Sequence, residues 1–267
     1  MSIEETMQTF GFHVDKITMN IEMVSAHAHD AYEIYYLLQG SRVFFINNTF
    51  FRVNEGDFIL VPEGELHRTA GDKCTRIDIN FSKAYLRQYC TSKTRKLLLK
   101  AFDNYQVRPA EKDSERALNI LLEMKKIFPE RSDRIFVLLV DLLDILNRSK
   151  IVTSGELSKE EEKIQEIVEY TNKNFATIHS TQDVSNAFYL SKEYFCRLFK
   201  RNLGITFSDY LNKTKLHYAT KLLITTNKRL NEIASLCGFH SSEYFCTIFK
   251  KEYGVTPNGY KKTHTKK

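Results

Sequence analysis

Two hydrophobic periodicities divide this chain. Up to about Phe81, short segments rich in Ile, Val, Phe and Tyr are broken by Gly, Asn and Asp: Glu33–Leu38, Arg42–Ile46, Phe50–Val53, Asp57–Val61 and Arg76–Phe81. Such segments predict strands. Asn47-Asn48 falls between two of them and suits a hairpin turn, since Asn tolerates positive φ. Many short strands with regular turns, from Met7 onward, predict a small barrel or sandwich. From Lys83 to Arg148 the spacing becomes helical. Ser114–Phe128 carries Leu118, Leu121, Leu122 and Met124 and stops at Pro129. Arg134–Asn147 sets Ile135, Leu138, Leu139, Leu142 and Leu146 on one stripe, with Asp141 and Asp144 off it. Two readings of that stripe stay open: packing on the chain's own barrel, and pairing with a second subunit. Val137, Val140, Leu143 and Ile145 widen the apolar surface enough for both. Ile151–Lys163, with Ser, Gly, Thr and a Glu/Lys run, has the composition of a linker.

The C-terminal part contains an internal repeat. Ser191–Tyr210 reads SKEYFCRLFKRNLGITFSDY and Ser241–Tyr260 reads SSEYFCTIFKKEYGVTPNGY. In each copy the apolar residues take helical spacing: Tyr194, Phe195, Leu198, Phe199, then Tyr244, Phe245, Ile248, Phe249. A serine precedes each run as an N-cap, and Gly204 and Gly254 end each one. Shorter helical segments, Thr181–Phe188 and Asn231–Leu236, come before. They connect through Phe188-Tyr189-Leu190 and through Cys237-Gly238-Phe239, so each copy predicts a helix-turn-helix unit. Tyr210–Leu223 between the copies is amphipathic, with Leu211, Leu216, Ala219, Leu222 and Leu223 apolar.

The faces left off the apolar stripes suggest chemistry. Glu193, Cys196, Arg197, Lys200 and Arg201 occupy that face in the first unit. Ser242, Glu243, Cys246, Thr247, Lys250 and Lys251 occupy it in the second. Polar side chains near a helix start reach base edges, and cations near its end neutralise phosphates. Arg197, Ser242 and Thr247 are thus candidates for bases, and Lys200, Arg201, Lys250 and Lys251 for phosphates. A merely solvated face is the bland alternative for one unit, and the repetition in a basic segment weighs against it. The whole chain carries 39 Lys+Arg against 33 Asp+Glu, a net of +6. From Ile164 onward there are 16 basic and 8 acidic residues, or +8, which leaves −2 for the rest. The basic excess lies with the two units, as a nucleic-acid footprint does.

From about Ile164 to Lys262 the chain resembles the DNA-binding domain of the AraC/XylS family of bacterial transcription regulators. Ile233, Ala234, Gly238, Phe239, Tyr244, Phe245, Phe249, Lys250, Gly254, Thr256, Pro257 and Tyr260 carry the resemblance. It implies two units joined by a long helix that enter successive major grooves on one DNA face. It also implies an activator, RNA polymerase as a partner, and a homodimer paired through the middle helices. Lys213 and Lys215 stand where arginines are usual, Ser185 replaces a common alanine, and Lys261 follows the closing tyrosine where arginine is frequent.

A second pattern lies in the β region. His27-x-His29-x3-Glu33-x6-Gly40 is followed by Gly56-x5-Pro62-x-Gly64-x2-His67, with Gly71 where a closing Asn is expected. These resemble the two motifs of the cupin barrel. His27, His29, Glu33 and Tyr35 share parity, so an unbroken strand would aim all four at one face, and His67 could join them from a neighbouring strand. The expectation is a ligand-binding barrel mouth formed by His27, His29, Glu33, Tyr35 and His67. Three uses stay open: a pocket for a sugar or related metabolite, a divalent metal on the three imidazoles and the carboxylate, or hydrogen-bonded structural histidines. No cofactor is expected apart from that metal option.

The five cysteines, Cys74, Cys90, Cys196, Cys237 and Cys246, are odd in number and lack a C-x-x-C pair, which suits reduced thiols. The opening MSIEETMQTF has no apolar core, and no apolar run approaches membrane-spanning length. A cytoplasmic protein with no membrane partner is expected. The expected architecture is α+β: residues 1–82 a cupin-like effector-sensing barrel, 83–150 a helical dimerisation region, 151–163 a linker, 164–267 a double helix-turn-helix domain. The leading function is a transcription regulator that binds double-stranded DNA under control of a small-molecule effector. The rival is a metal-dependent cupin oxygenase or isomerase, in which the two helix-turn-helix units would have no role.

Overall fold

The computed structural model describes residues 3–19, 26–152 and 157–265. The chain forms two compact units, Met1–Ser158 and Lys159–Lys267, and its class is α+β.

The first unit opens with α1 (Ile3–Phe10), so Met7–Phe10 is helical where a strand region was expected to begin. There follow β1 (Phe12–Met19), β2 (Tyr32–Gln39), β3 (Ser41–Ile46), β4 (Thr49–Asn54), β5 (Phe58–Val61), β6 (His67–Ala70) and β7 (Cys74–Phe81). Next come α2 (Lys83–Tyr89), α3 (Ser92–Leu98), a 3-10 turn (Leu99–Asp103), β8 (Gln106–Arg108), α4 (Glu111–Ile127), α5 (Ser132–Arg148) and β9 (Lys150–Ile151). One sheet has the order β1-β7-β2-β5-β8-β9 and the other β4-β3-β6. Asn47 and Asn48 take φ of 44° and 70°, and they close the β3–β4 hairpin, in which Ile46 faces Thr49.

The larger sheet is covered on both faces, and its strands alternate accordingly. Tyr35, Leu37, Ile59, Val61 and Cys74 point inward to meet Phe44, Ile46 and Val53 of the smaller sheet. Ile34, Tyr36, Phe58, Leu60, Ile77 and Ile79 point the other way and pack under the helices. Ile135, Leu138, Leu139, Leu142 and Leu146 of α5 are buried in this second layer. These five residues of the stripe are therefore buried within the chain's own first unit, where α5 packs against α4, α3 and the 3-10 turn. Residues 83–150 belong to the same compact unit as the strands.

The expected linker is shorter than 151–163. Ile151 pairs with Val107, and α6 (Lys159–Asn174) already begins at Lys159; residues 153–156 lie outside the described residues. The second unit continues with α7 (Thr181–Ala187), α8 (Lys192–Leu203), α9 (Phe207–Thr225), α10 (Leu230–Leu236), α11 (Ser242–Tyr253) and α12 (Pro257–Thr265). Its helices are capped as the residue types dictate. Ser191 Oγ accepts from the Tyr194 N–H at 3.3 Å, and Ser241 Oγ from that of Tyr244 at 3.1 Å. Gly204 and Gly254 end α8 and α11 at φ of 69° and 71°, a left-handed conformation that favours glycine.

Candidate nucleic-acid interface and sensor site

α7–α8 and α10–α11 are the two helix-turn-helix units, and α9 joins them. Phe195, Leu198 and Phe199 bury one side of α8, while Phe245 and Phe249 do so for α11. Tyr194 and Tyr244 were expected on these apolar stripes, but they are 44% and 39% exposed and belong to the outer faces. Glu193, Cys196, Arg197 and Lys200 are exposed with Tyr194, as are Glu243, Thr247, Lys250 and Lys251 with Tyr244; Ser242 and Cys246 are half-buried. Arg201 is exposed but already engaged. Its Nε donates to Glu160 Oε1 of α6 at 3.0 Å, and its Nη2 makes a second contact with the same carboxylate. The Arg201 hydrogen bond holds the Glu160 carboxyl below the usual range. Arg201 therefore fastens α8 to α6, and its expected phosphate role has a competitor inside the unit.

The two turns reach one backbone conformation with different residues. Gly238 has φ 71°, and a Cβ there would lie 2.2 Å from the Ala176 carbonyl oxygen, so only glycine fits. Its counterpart Tyr189 takes φ 55° with its side chain 97% exposed. Lys215 binds these parts together. It is 5% exposed, and its Nζ donates to Ile178 O at 3.0 Å and Gly238 O at 2.8 Å. One ammonium of α9 thus ties the lead-in to the first unit to the turn of the second. In the sequence Lys215 stands out only as a lysine where arginine is usual; its place on the apolar side of α9, next to Leu216 and Ala219, was the signal.

Of the residues expected to form the ligand site, His27, His29, Glu33 and His67 converge, though not on an unbroken strand. Only Glu33 and Tyr35 lie on β2; His27 makes an isolated bridge with His67, and His29 precedes the strand. Backbone hydrogen bonds between His27 and His67, at 3.0 and 2.9 Å, bring the two segments together. The metal-ligating nitrogens of His27, His29 and His67 lie within 4.8 Å of one another. Glu33 Oε2 is 3.1 Å from His29 Nε2 and 3.3 Å from His67 Nε2. The other ring nitrogens face carbonyls: His29 Nδ1 donates to Ala31 O at 3.0 Å and His67 Nδ1 to Glu65 O at 2.9 Å. A carbonyl only accepts, so Nδ1 carries the proton in both rings. In the neutral rings both Nε2 atoms would then present lone pairs to a carboxylate. Positive charge must lie between them, as an added proton or as a cation. Burial raises the Glu33 carboxyl, but the His29 hydrogen bond and the close approach of the His67 ring outweigh it and hold the group well below the usual range. Burial lowers the His29 imidazole, and the Glu33 hydrogen bond outweighs that and raises it. Imidazoles anchored through Nδ1, with Nε2 turned inward beside a carboxylate, also fit a divalent metal.

Tyr35 is fully buried between the sheets, its hydroxyl 3.8 Å from Cys74 Sγ and its ring 5.0 Å from the Arg76 guanidinium carbon. It packs in the apolar layer between the two sheets. Arg76 and Asp78, which sequence reasoning missed, share this interior. They pair at 2.8 Å, and Arg76 Nε and Nη1 and Asp78 Oδ1 have no hydrogen-bond partner among the described residues. Burial pushes the Asp78 carboxyl up to about 8, against the pull of Arg76. The signal was alternation: Arg76, Asp78 and Asn80 interleave with Ile77, Ile79 and Phe81 on a strand covered on both faces.

Two helix-turn-helix units joined by one helix, following in sequence a β domain that carries a buried histidine–carboxylate cluster, are the parts of a DNA-binding regulator with a ligand-binding domain. Residues 184–263 match the helix-turn-helix domain family, and residues 15–150 match the AraC-like ligand binding domain. The chain belongs to the AraC/XylS family and is a DNA-binding transcription regulator with a ligand-binding domain. It is similar to the uncharacterized HTH-type transcriptional regulator YdeC of Bacillus subtilis, at 24% identity over 93% of this chain and 90% of that protein. It is 31% identical to the HTH-type transcriptional activator RhaS of Enterobacter sp. over 38% of this chain, and it spans only 35% of that relative's length. A solved protein of unknown function from Listeria innocua is 36% identical, with a TM-score of 0.37 and coverage of 38% of this chain and 96% of that one. The DNA-binding domain of AdpA in complex with a target DNA is 23% identical, with a TM-score of 0.36 and coverage of 37% and 88%. Among the described residues no helix is long and apolar enough to cross a membrane.

Proposed function

We propose that this regulator is a cytoplasmic transcription activator that reads its operator through the outer faces of α8 and α11. Its DNA affinity is set by a sugar or related metabolite at the His27, His29, Glu33 and His67 cluster. The observation that carries the reading is the pairing of that cluster with two equivalent exposed helix faces, since a sensor site has a use only where something is regulated. Arg197 and Thr247, with the half-buried Ser242, are placed to read bases, and Lys200, Lys250 and Lys251 to hold phosphates. RNA polymerase is the further partner, and activator names among the relatives support this. A homodimer would place four helix-turn-helix units on two half-sites, each unit about one helical turn from its neighbour. No enzymatic step is assigned to the cluster.

Occupancy of the cluster regulates only if it has different affinities for two arrangements of the protein. The experiment is a thermal-shift screen of sugars, organic acids and divalent metals, followed by operator titration with the effector found. His67→Ala and His29→Ala should each abolish the effector response while leaving basal DNA affinity nearly intact. If both variants respond like the wild type, the effector site lies elsewhere. The convergence of two Nε2 atoms on one carboxylate favours a second reading, in which a divalent metal sits there and the effector adds to it. Metal analysis of the purified protein tests it: about one equivalent, lost in His67→Ala, is the expected result.

A further inference from the structure

Between Ser82 and Phe102 the chain carries six basic residues and no acidic one. The rest of residues 1–163 carries 17 basic and 25 acidic residues, a net of −8. The fold turns this charge run into a concave surface. α2, α3 and the 3-10 turn, together with Tyr32 and Pro62, line a cleft of about 530 Å³. Lys83, Arg87, Arg95, Lys96 and Lys100 all border it, whereas Lys93 does not.

A run of cations is ordinarily a solvated face, and two observations set this one apart. The first is missing counter-charge. Lys83 pairs with Glu63 at 2.7 Å, and Asp103 is the one acid on the lining. Arg87, Lys96 and Lys100 have no ion pair among the described residues. Five cations against Glu63 and Asp103 leave the cleft at a formal +3. The second is the floor. Tyr32 and Phe102 are buried, with ring centroids 4.9 Å apart edge to face, and Lys83 Nζ lies 5.9 Å above the Tyr32 ring. Arg95 is held in place by its own hydrogen bond from Nη1 to Cys90 O at 2.9 Å.

We propose that this cleft binds a small phosphorylated molecule with at least two negative charges and an aromatic or apolar body. A single carboxylate would leave most of the positive charge uncompensated, and a phosphate dianion suits it better. A nucleic-acid backbone presents its phosphates along a line and has no use for a recessed aromatic floor. The cleft also adjoins, through the Lys83–Glu63 pair, the segment that holds His29. Glu63 adjoins Gly64, whose N–H donates to His29 O at 3.0 Å. A phosphate that draws Lys83 away from Glu63 would act on the segment that holds His29, a link that rests on the proposed sensor reading.

The test is isothermal titration calorimetry of the full chain with phenyl phosphate, inorganic phosphate and phenol as probes. Phenyl phosphate should bind saturably and more tightly than inorganic phosphate, and phenol should give no measurable binding. Arg87→Gln with Lys96→Gln, both at exposed positions, should weaken phenyl phosphate by about tenfold or more, and Lys93→Gln by no more than about twofold. Absence of saturable binding at millimolar phenyl phosphate would overturn the proposal. So would equal weakening by Lys93→Gln, which would reveal diffuse charge attraction only. A double variant that lost operator affinity while keeping phenyl phosphate would make the cleft a DNA surface, and the proposal would again fail.

Discussion

Lys215 offers a demanding test, because a buried ammonium with two carbonyl partners can be removed cleanly. Lys215→Met keeps an unbranched stem of similar volume and deletes the two donations to Ile178 O and Gly238 O. Hydrogen bonds from a charged donor contribute roughly 1.5–3 kcal/mol each, so the gross loss is about 3–6 kcal/mol. Against this stands the cost of burying the charge, which also pushes the Lys215 ammonium below its ordinary value. The two carbonyls remain in place and lose their partner, so the balance should still be a loss of about 2–3 kcal/mol. For a unit of this size that corresponds to a fall in Tm of about 10 °C. Thermal unfolding of the full chain followed by far-UV circular dichroism should show it in the transition of the second unit. Operator affinity should also fall, since Lys215 links the lead-in of one helix-turn-helix to the turn of the other. Lys215→Arg keeps a cation with several donors and should recover most of both properties. A Met variant with unchanged Tm and unchanged operator affinity would refute the staple.

Arg197→Ala should cost roughly 1–3 kcal/mol of operator binding and relax one operator position, read by a gel-shift series over substituted operators. Lys250→Ala should instead weaken all sequences alike and lower the salt slope by about one. Leu139→Lys with Leu142→Lys should unfold the first unit, read as loss of its thermal transition, because both positions are fully buried; each lost side chain costs about 2–5 kcal/mol before the buried charge is counted. The Glu33 carboxyl is held down in the folded protein, so its contribution to stability is present above pH 4.5 and is lost as pH falls toward the folded value. Glu33→Gln should flatten that acid limb in urea unfolding measured at a series of pH values, and an unchanged acid limb would separate Glu33 from the effect.

What the sequence determined was whatever depends on neighbours along the chain. The helix-turn-helix repeat is local: Ser191 and Ser241 cap, Gly204 and Gly254 terminate, and phenylalanines at helical spacing face inward, all within about twenty residues. The Asn47-Asn48 hairpin was legible for the same reason. The tertiary structure decided whatever depends on which surfaces meet. The stripe of α5 has one pattern whether it packs inside its own unit or on a second subunit, and only the fold shows that Ile135, Leu138, Leu139, Leu142 and Leu146 are buried within the first unit. Shared parity suggested that His27, His29 and Glu33 belong together, but the means was a bridge from His27 to His67, not a continuous strand. Arg201 reads as a free cation until α6 brings Glu160 against it. Lys215 reads as a surface lysine until two backbone carbonyls, remote in sequence, close over it. Charges and hydrogen-bonding groups are satisfied by partners in space, and no one-dimensional period records where those partners arrive.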